Sequence, residues 1–405
     1  MKRYDVLLDV LANGLLSWNV WGLLAYTLIL THITIVSVTV YLHRHSAHRA
    51  LDIHPALAHF FRFWLWMTTG QGTKEWTAIH RKHHATCETA EDPHSPVVQG
   101  IGKIFWQGVE VYRLAGTPET LARYGVGCPD DWVERNVYSA HTWVGVYSML
   151  VIDVLLFGGI GITVWAVQMA WIPLTAAGVI NGIGHYWGYR NYECPDAARN
   201  VVPWGILIGG EELHNNHHTY PNSAKLSSKP WEFDIGWMWI RLFEMADLAK
   251  VRSKGPMATR VEGKASLDID TAWAILNDRF RVMSRYAEQV IAPCVRAEYE
   301  KADAASKRFF RRAKVVLSRE QIVVTPRQQV RLEKLVTSSE ELRQIYEFRL
   351  ALAEVWRKRA NADELLNGLK AWCVAAEASG VHALQEFVAE LKSYAMPRST
   401  IAGAV

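Results

Sequence analysis

Residues 15–42 run for 28 positions without a single Asp, Glu, Lys or Arg. About 20 apolar residues cross a hydrocarbon core of roughly 30 Å, so this run predicts a membrane-spanning helix that emerges near Tyr41. No soluble core requires it. Residues 136–189 hold Asp153 as their one charged side chain, and Gly158-Gly159-Ile160-Gly161 interrupts them midway. They read as two helices and a hairpin. Trp18, Trp21, Trp143, Trp171 and Trp187 fall near the ends of these spans, where indole favours the headgroup region. Residues 53–72 are apolar too but carry Arg62 centrally, and a mid-bilayer charge costs about 2.5–3.5 kcal/mol or more. That segment is expected to be a shallow or re-entrant helix, with residues 85–134 a polar loop holding short amphipathic pieces.

Charge divides the chain. Of its 84 charged side chains, 45 lie from Val251 onward, which separates a membrane domain, 1–250, from a charge-dense helical region, 251–405. Leu276, Phe280 and Met283, then Leu342, Ile345, Tyr346 and Leu350, recur there at helical spacing. Residues 301–319 form a basic stretch suited to solvent or to anionic headgroups. The net charge of +4 gives no reason to expect nucleic acid as a partner. Five cysteines without a C-x-x-C pair exclude a cluster built on cysteine. Lys2 and Arg3 precede a long apolar run without a cleavage signal, which reads as a retained anchor.

The histidines are the most specific signal. Sixteen are present, with His43 and His48 in H-R-H-S-A-H, His80, His83 and His84 in H-R-K-H-H, and His214, His217 and His218 in H-N-N-H-H. Asn181 and His185 stand four apart in N-G-I-G-H. Helix positions i, i+3 and i+4 share a face, so each H-x-x-H-H triad is expected to converge on one point. Imidazole suits iron, zinc, copper or nickel and not a hard calcium or magnesium site. Nine histidines exceed the coordination of one ion, which points to two metals. Neighbouring acids should orient the rings, with Glu75, Glu88, Asp92, Glu211 and Glu212 as candidates. His45 is out of step with His43 and His48, and His94 is the best-placed of the remaining histidines for a supporting role.

With these boxes, with H-R-K-H-H-A-T-C-E-T-A-E-D-P-H-S-P from His80 and with G-G-E-E-L-H-N-N-H-H-T-Y-P from Gly209, the chain resembles the membrane-bound fatty acyl desaturases. The likeness is to the stearoyl-CoA, delta-9 type and its bacterial branch, over about residues 21–244. It implies an all-α integral membrane protein of three to four transmembrane helices, with a cytosolic helical cap and the active site on the cytoplasmic face of a bacterial inner membrane. It further implies two iron ions on His43, His48, His80, His83, His84, His185, His214, His217 and His218, with Asn181 contributing through water. The implied reaction inserts a cis double bond into an acyl-CoA or acyl-lipid chain, with O₂ as co-substrate. Its electrons would come from a separate ferredoxin-like iron–sulfur protein and flavin reductase, since no fused haem-binding H-P-G-G motif is present. Arg190, Lys74 and Arg81 are expected to hold the substrate head, and Trp64, Trp66 and Trp143 to shape its passage. A hydroxylase or acetylenase would use the same metals. A metal transporter or sensor would instead place histidines within the spans.

Overall fold

The computed structural model describes residues 10–357 and 361–397, so Lys2 and Arg3 of the expected anchor lie outside the described residues. Helices predominate, and the strands are short two-stranded pairings. The chain divides into two units, residues 10–190 with 197–255 and residues 191–196 with 256–397.

In the first unit, Asn19 caps α1 (Val20–Ala47) by accepting a hydrogen bond from the Gly22 amide at 3.0 Å. From Ser37 onward α1 widens into π-helical geometry. It is followed by α2 (Pro55–Thr68), α3 (Thr73–Thr86), α4 (Ile101–Ala115), α5 (Thr142–Phe157), α6 (Ile160–His185), α7 (His214–Thr219) and α8 (Ile235–Met245). By length and composition α1 and α6 can cross a membrane, while α5 is apolar but has only 16 residues. Among the described residues that is fewer clear spans than three to four. Gly158, at φ 63°, makes the sharp turn between α5 and α6, and a Cβ there would lie 2.5 Å from the Ala12 carbonyl oxygen. Asp153 is buried and accepts a hydrogen bond from the Tyr26 hydroxyl at 3.0 Å, which ties α5 to α1.

Three features depart from the sequence expectations. The Arg62 guanidinium on α2 is neutralised within the protein by Asp131 at 2.6 Å and Glu134 at 2.9 Å. Its position is therefore not dictated by the cost of a bare charge in lipid. Residues 85–134 are largely helical, because Ile104, Gly108 and Val111 form a buried stripe on α4. The first unit also runs past residue 250, since β1 (Leu51–Ile53) pairs antiparallel with β2 (Ala249–Val251).

One fully buried ion pair braces the region around the histidines. Arg44 donates to both carboxylate oxygens of Asp234 at 2.9 and 3.1 Å, and to the carbonyls of Gly209 and Ala224. The second unit has its own apolar core, including Ile275, Tyr286, Ile345, Leu352, Trp372 and Phe387.

Candidate metal centre

The end of α1 with His48 just beyond it, α3, the end of α6 and α7 bring all nine sequence-predicted histidines together. They do not form one cluster. Ligand atoms of His43, His48, His80, His84 and His217 lie within 4.8 Å of one another, and those of His83, Cys87, His185 and His218 form a second group. His214 joins the second group, its Nε2 3.0 Å from His185 Nε2 and its ring 4.3 Å from that of His218. Both H-x-x-H-H triads are therefore split between the groups, contrary to the expected single point. Neighbouring helix positions differ by about 100° in direction, so His83 and His84 face different centres, as do His217 and His218.

Helix irregularity completes the set. In a regular α-helix residues five apart point about 140° away from each other, which would separate His43 from His48. The π-helical end of α1 removes that difference, and the His48 amide donates to the His43 carbonyl at 3.0 Å. A second π-helical stretch, Pro173–Ile180, delivers Asn181, whose amide donates to the Ala176 carbonyl at 3.0 Å. His185 then sits in a tight 3₁₀ turn. Asn181 and His185 are thus not placed by the plain i, i+4 helix relation.

Three of the rings are held from behind by carboxylates. Glu211 Oε1 lies 2.9 Å from His43 Nδ1, His83 Nδ1 donates to Asp92 Oδ1 at 2.9 Å, and His185 Nδ1 donates to Glu88 Oε1 at 3.2 Å. Each carboxylate is itself positioned, by the Thr39 hydroxyl, the Glu88 amide and the Ala197 amide respectively. Although burial opposes it, the contact with His83 holds the Asp92 carboxyl well below the usual carboxylate range, and His43 likewise lowers Glu211. Glu212 instead accepts from the amides of Leu207, Ile208 and Gly210. Burial, followed by the neighbouring histidines, pushes His48, His80, His84 and His217 well below their ordinary values, so these rings are neutral.

This donor set fits metal. Glu211 fixes a proton on His43 Nδ1 and so leaves a lone pair on its Nε2, and Nε2 atoms of the group face one another: His43 to His217 at 3.0 Å, His48 to His80 at 2.8 Å and His84 to His217 at 2.9 Å. His217 Nε2 faces two partners and can donate to only one of them. A cation among the rings satisfies all these lone pairs together.

The remaining residues fall as follows. His45 turns away to the Leu51 carbonyl. His94 stacks on His83 with ring centroids 4.3 Å apart and completes a third group with His83 and Asp92. Cys87 and Arg44 were missed by sequence reasoning. Cys87 gave no signal because it lacks a cysteine partner, while Arg44 stands inside the first histidine box. An apolar cavity of about 380 Å³ reaches His43, His80, His214 and Asn181. Trp143 lines it, but Trp64 and Trp66 do not; their indoles donate to Thr34 and to the His141 carbonyl. Arg81 is occupied by four backbone carbonyl bonds, which removes it as a substrate anchor.

Clustered neutral imidazoles able to hold metal, set among helices beside an apolar cavity, define a helical protein with a candidate metal centre open to an apolar space. Residues 19–232, just over half of the chain, match the model of the Fatty acid desaturase family. The chain belongs to that family, whose members are oxidoreductases associated with membranes. It is 31% identical over 263 residues to a probable chloroplastic lipid desaturase of Arabidopsis thaliana, covering 64% of this chain and 70% of that one. It is 29% identical to a delta-9 acyl-lipid desaturase of the same plant (56% and 74% covered) and 28% identical to an sn-1 stearoyl-lipid 9-desaturase of Anabaena variabilis (56% and 83%). In the second unit, residues 271–397 match a family described as Transposase.

Proposed function

We propose that this protein is a delta-9 acyl desaturase that inserts a cis double bond into a saturated acyl chain, using O₂ and two electrons from a separate iron–sulfur and flavin donor. The observation that carries this reading is the apolar cavity ending on the histidines. Such a cavity admits an alkyl chain, excludes water and presents one C–C bond to the centre. Two irons would be held by His43, His48, His80, His84 and His217 on one side and by His83, His185, His214 and His218 on the other, with Asn181 completing the second. When bound, they supply the O₂ activation needed to remove hydrogen from an unactivated methylene. The chain's own residues do the rest: Glu211, Asp92 and Glu88 fix ring orientation, Trp76 stacks on His80 at 4.8 Å, and the apolar walls exclude water. Relatives carry both kinds of name, delta-9 acyl-lipid desaturase and sn-1 stearoyl-lipid 9-desaturase beside acyl-CoA 5-desaturase, so the proposed substrate is an acyl-lipid or an acyl-CoA.

We place the first unit in a bacterial inner membrane, with α1, α6 and the shorter α5 contributing to a multi-pass topology of three to four crossings and the histidines on the cytoplasmic face. The domain division near residue 250 leaves the charged helical region outside the chemistry.

An acyl chain has no functional group near its middle, so a ruler measured from the head fixes the bond at a constant distance from the carboxyl. Cells expressing the protein and fed saturated chains of two lengths should carry unsaturation nine carbons from the carboxyl in both. A bond that tracks the methyl end defeats the delta-9 reading, and a retained hydroxyl or a triple bond identifies a hydroxylase or an acetylenase.

A further inference from the structure

The candidate metal centre opens on two sides of different chemistry. The apolar cavity reaches His43, His80 and His214, whereas a second, more open depression of about 570 Å³ reaches His48, and the two share no lining residue. His48 belongs to the five-histidine group and is partly exposed, so one of the centre's own imidazoles forms part of the outer surface here. Arg49, Arg81 and Arg123 line the depression beside it, and no acid does. Among the described residues none of the three is paired with a carboxylate. Arg81 donates instead to the carbonyls of Ser46, Ala47, Tyr124 and Val126, Arg49 donates to that of Val126, and Arg123 lies over the Tyr124 ring at 5.2 Å. Carbonyls and a ring fix these side chains but neutralise none of them, so their positive charges stand uncompensated next to a ring of the centre. An alkyl chain has no use for such charge, and neither has O₂. With its N–H groups turned to carbonyls, Arg81 offers charge more than directed hydrogen bonds. That suits the long-range attraction of an acidic protein better than the bidentate grip of a phosphate.

We propose that this depression is the docking face for a small acidic iron–sulfur protein, whose electrons enter the centre at His48. The assignment rests on the desaturase reading, which calls for an external donor of two electrons. Each docking oxidises the partner's reduced cluster by one electron and reduces one ferric ion of the centre to ferrous; two dockings supply both electrons. Electron transfer weakens steeply with distance, and entry through a ligand ring that is itself at the surface keeps that distance short. Encounters of this kind bury little area and are transient. Unpaired arginines around the entry point raise the rate of encounter without a large interface.

The test uses the purified, iron-loaded full chain and an acidic [2Fe–2S] ferredoxin as the probe. Equilibrium binding of the oxidised ferredoxin should weaken as ionic strength is raised from about 50 to about 500 mM. Arg49→Gln and Arg123→Gln should each weaken it by about threefold at the lower salt, as loss of a rim charge does. They should slow reduction of the iron by reduced ferredoxin in parallel. Iron content, and reduction by dithionite, which needs no protein interface, should not change. Arg308→Gln removes the same charge from an exposed position in the second unit and should bind as the wild type does. Binding that ignores salt, wild-type binding in both arginine variants, or an equal loss with Arg308→Gln overturns the proposal. So does displacement of ferredoxin by CoA with loss of CoA binding in the same two variants, which would assign the depression to a phosphate-bearing substrate. Binding and iron reduction are read without an acyl chain present, so their failure is separate from failure to form a double bond, which would count against the desaturase reading.

Discussion

At the scale of the residue, His43, His83 and His185 each have a carboxylate behind the ring, from Glu211, Asp92 and Glu88, while other rings of the centre are placed by their helices. His84 and His217 belong to the five-histidine group, and their Nε2 atoms stand 2.9 Å apart. Replacing either with Ala should abolish desaturation and lower bound iron, measured by elemental analysis of purified protein. Full activity in either variant, or an active protein holding zinc alone, would contradict the assignment. Asp92→Asn is subtler. It keeps the shape but removes the charge that fixes the tautomer of His83, and should weaken metal binding by roughly 10- to 100-fold. A titration with ferrous iron in which Asp92→Asn matches the wild type would show that the proton on His83 is set elsewhere.

At the scale of the element, α2 is held by charge as well as by its apolar face. Arg62 is buried, and Glu134 beside it is buried too. Removing one partner of such a pair costs about 3–5 kcal/mol because the other is left uncompensated, so Arg62→Met should lower the unfolding midpoint in detergent markedly. Asp131 adds a pH dependence of known sign. Its hydrogen bonds with Arg62 hold its carboxyl down at about 2, below the ordinary 3.8. Its contribution is therefore fully present above pH 3.8 and is lost as pH falls through about 2. Asp131→Asn should flatten the acid limb of a stability–pH curve, and an unaltered limb would mean that the acid sensitivity resides in other carboxylates.

At the scale of the whole molecule, every histidine of the centre belongs to the first unit, whereas the second has its own core of helices. A chain ending after Gly255 should therefore retain the iron stoichiometry of the full protein. A folded truncation that loses its iron would make the second unit part of the centre. The match of residues 271–397 to a transposase family agrees with a segment whose sequence pattern is unrelated to the histidine boxes.

The sequence by itself determined the family and singled out the nine histidines that the fold gathers, because metal-ligand chemistry restricts residue type and spacing more tightly than packing does. The contrast between long charge-free runs and a charged tail was equally legible, since lipid and water select opposite compositions. Tertiary structure alone decided how those rings are divided between two groups. A helical wheel assumes regular turns, and only the π-helical end of α1 brings His43 and His48 to one centre, while one step of rotation sends His83 away from His84. The partners of Arg62 and Arg44 lie 69 to 190 residues away, and no local pattern announces them. Glu212 lies next to Glu211 and looks equivalent in sequence, yet one holds a histidine and the other its own loop, because the direction of a side chain is set by the fold around it.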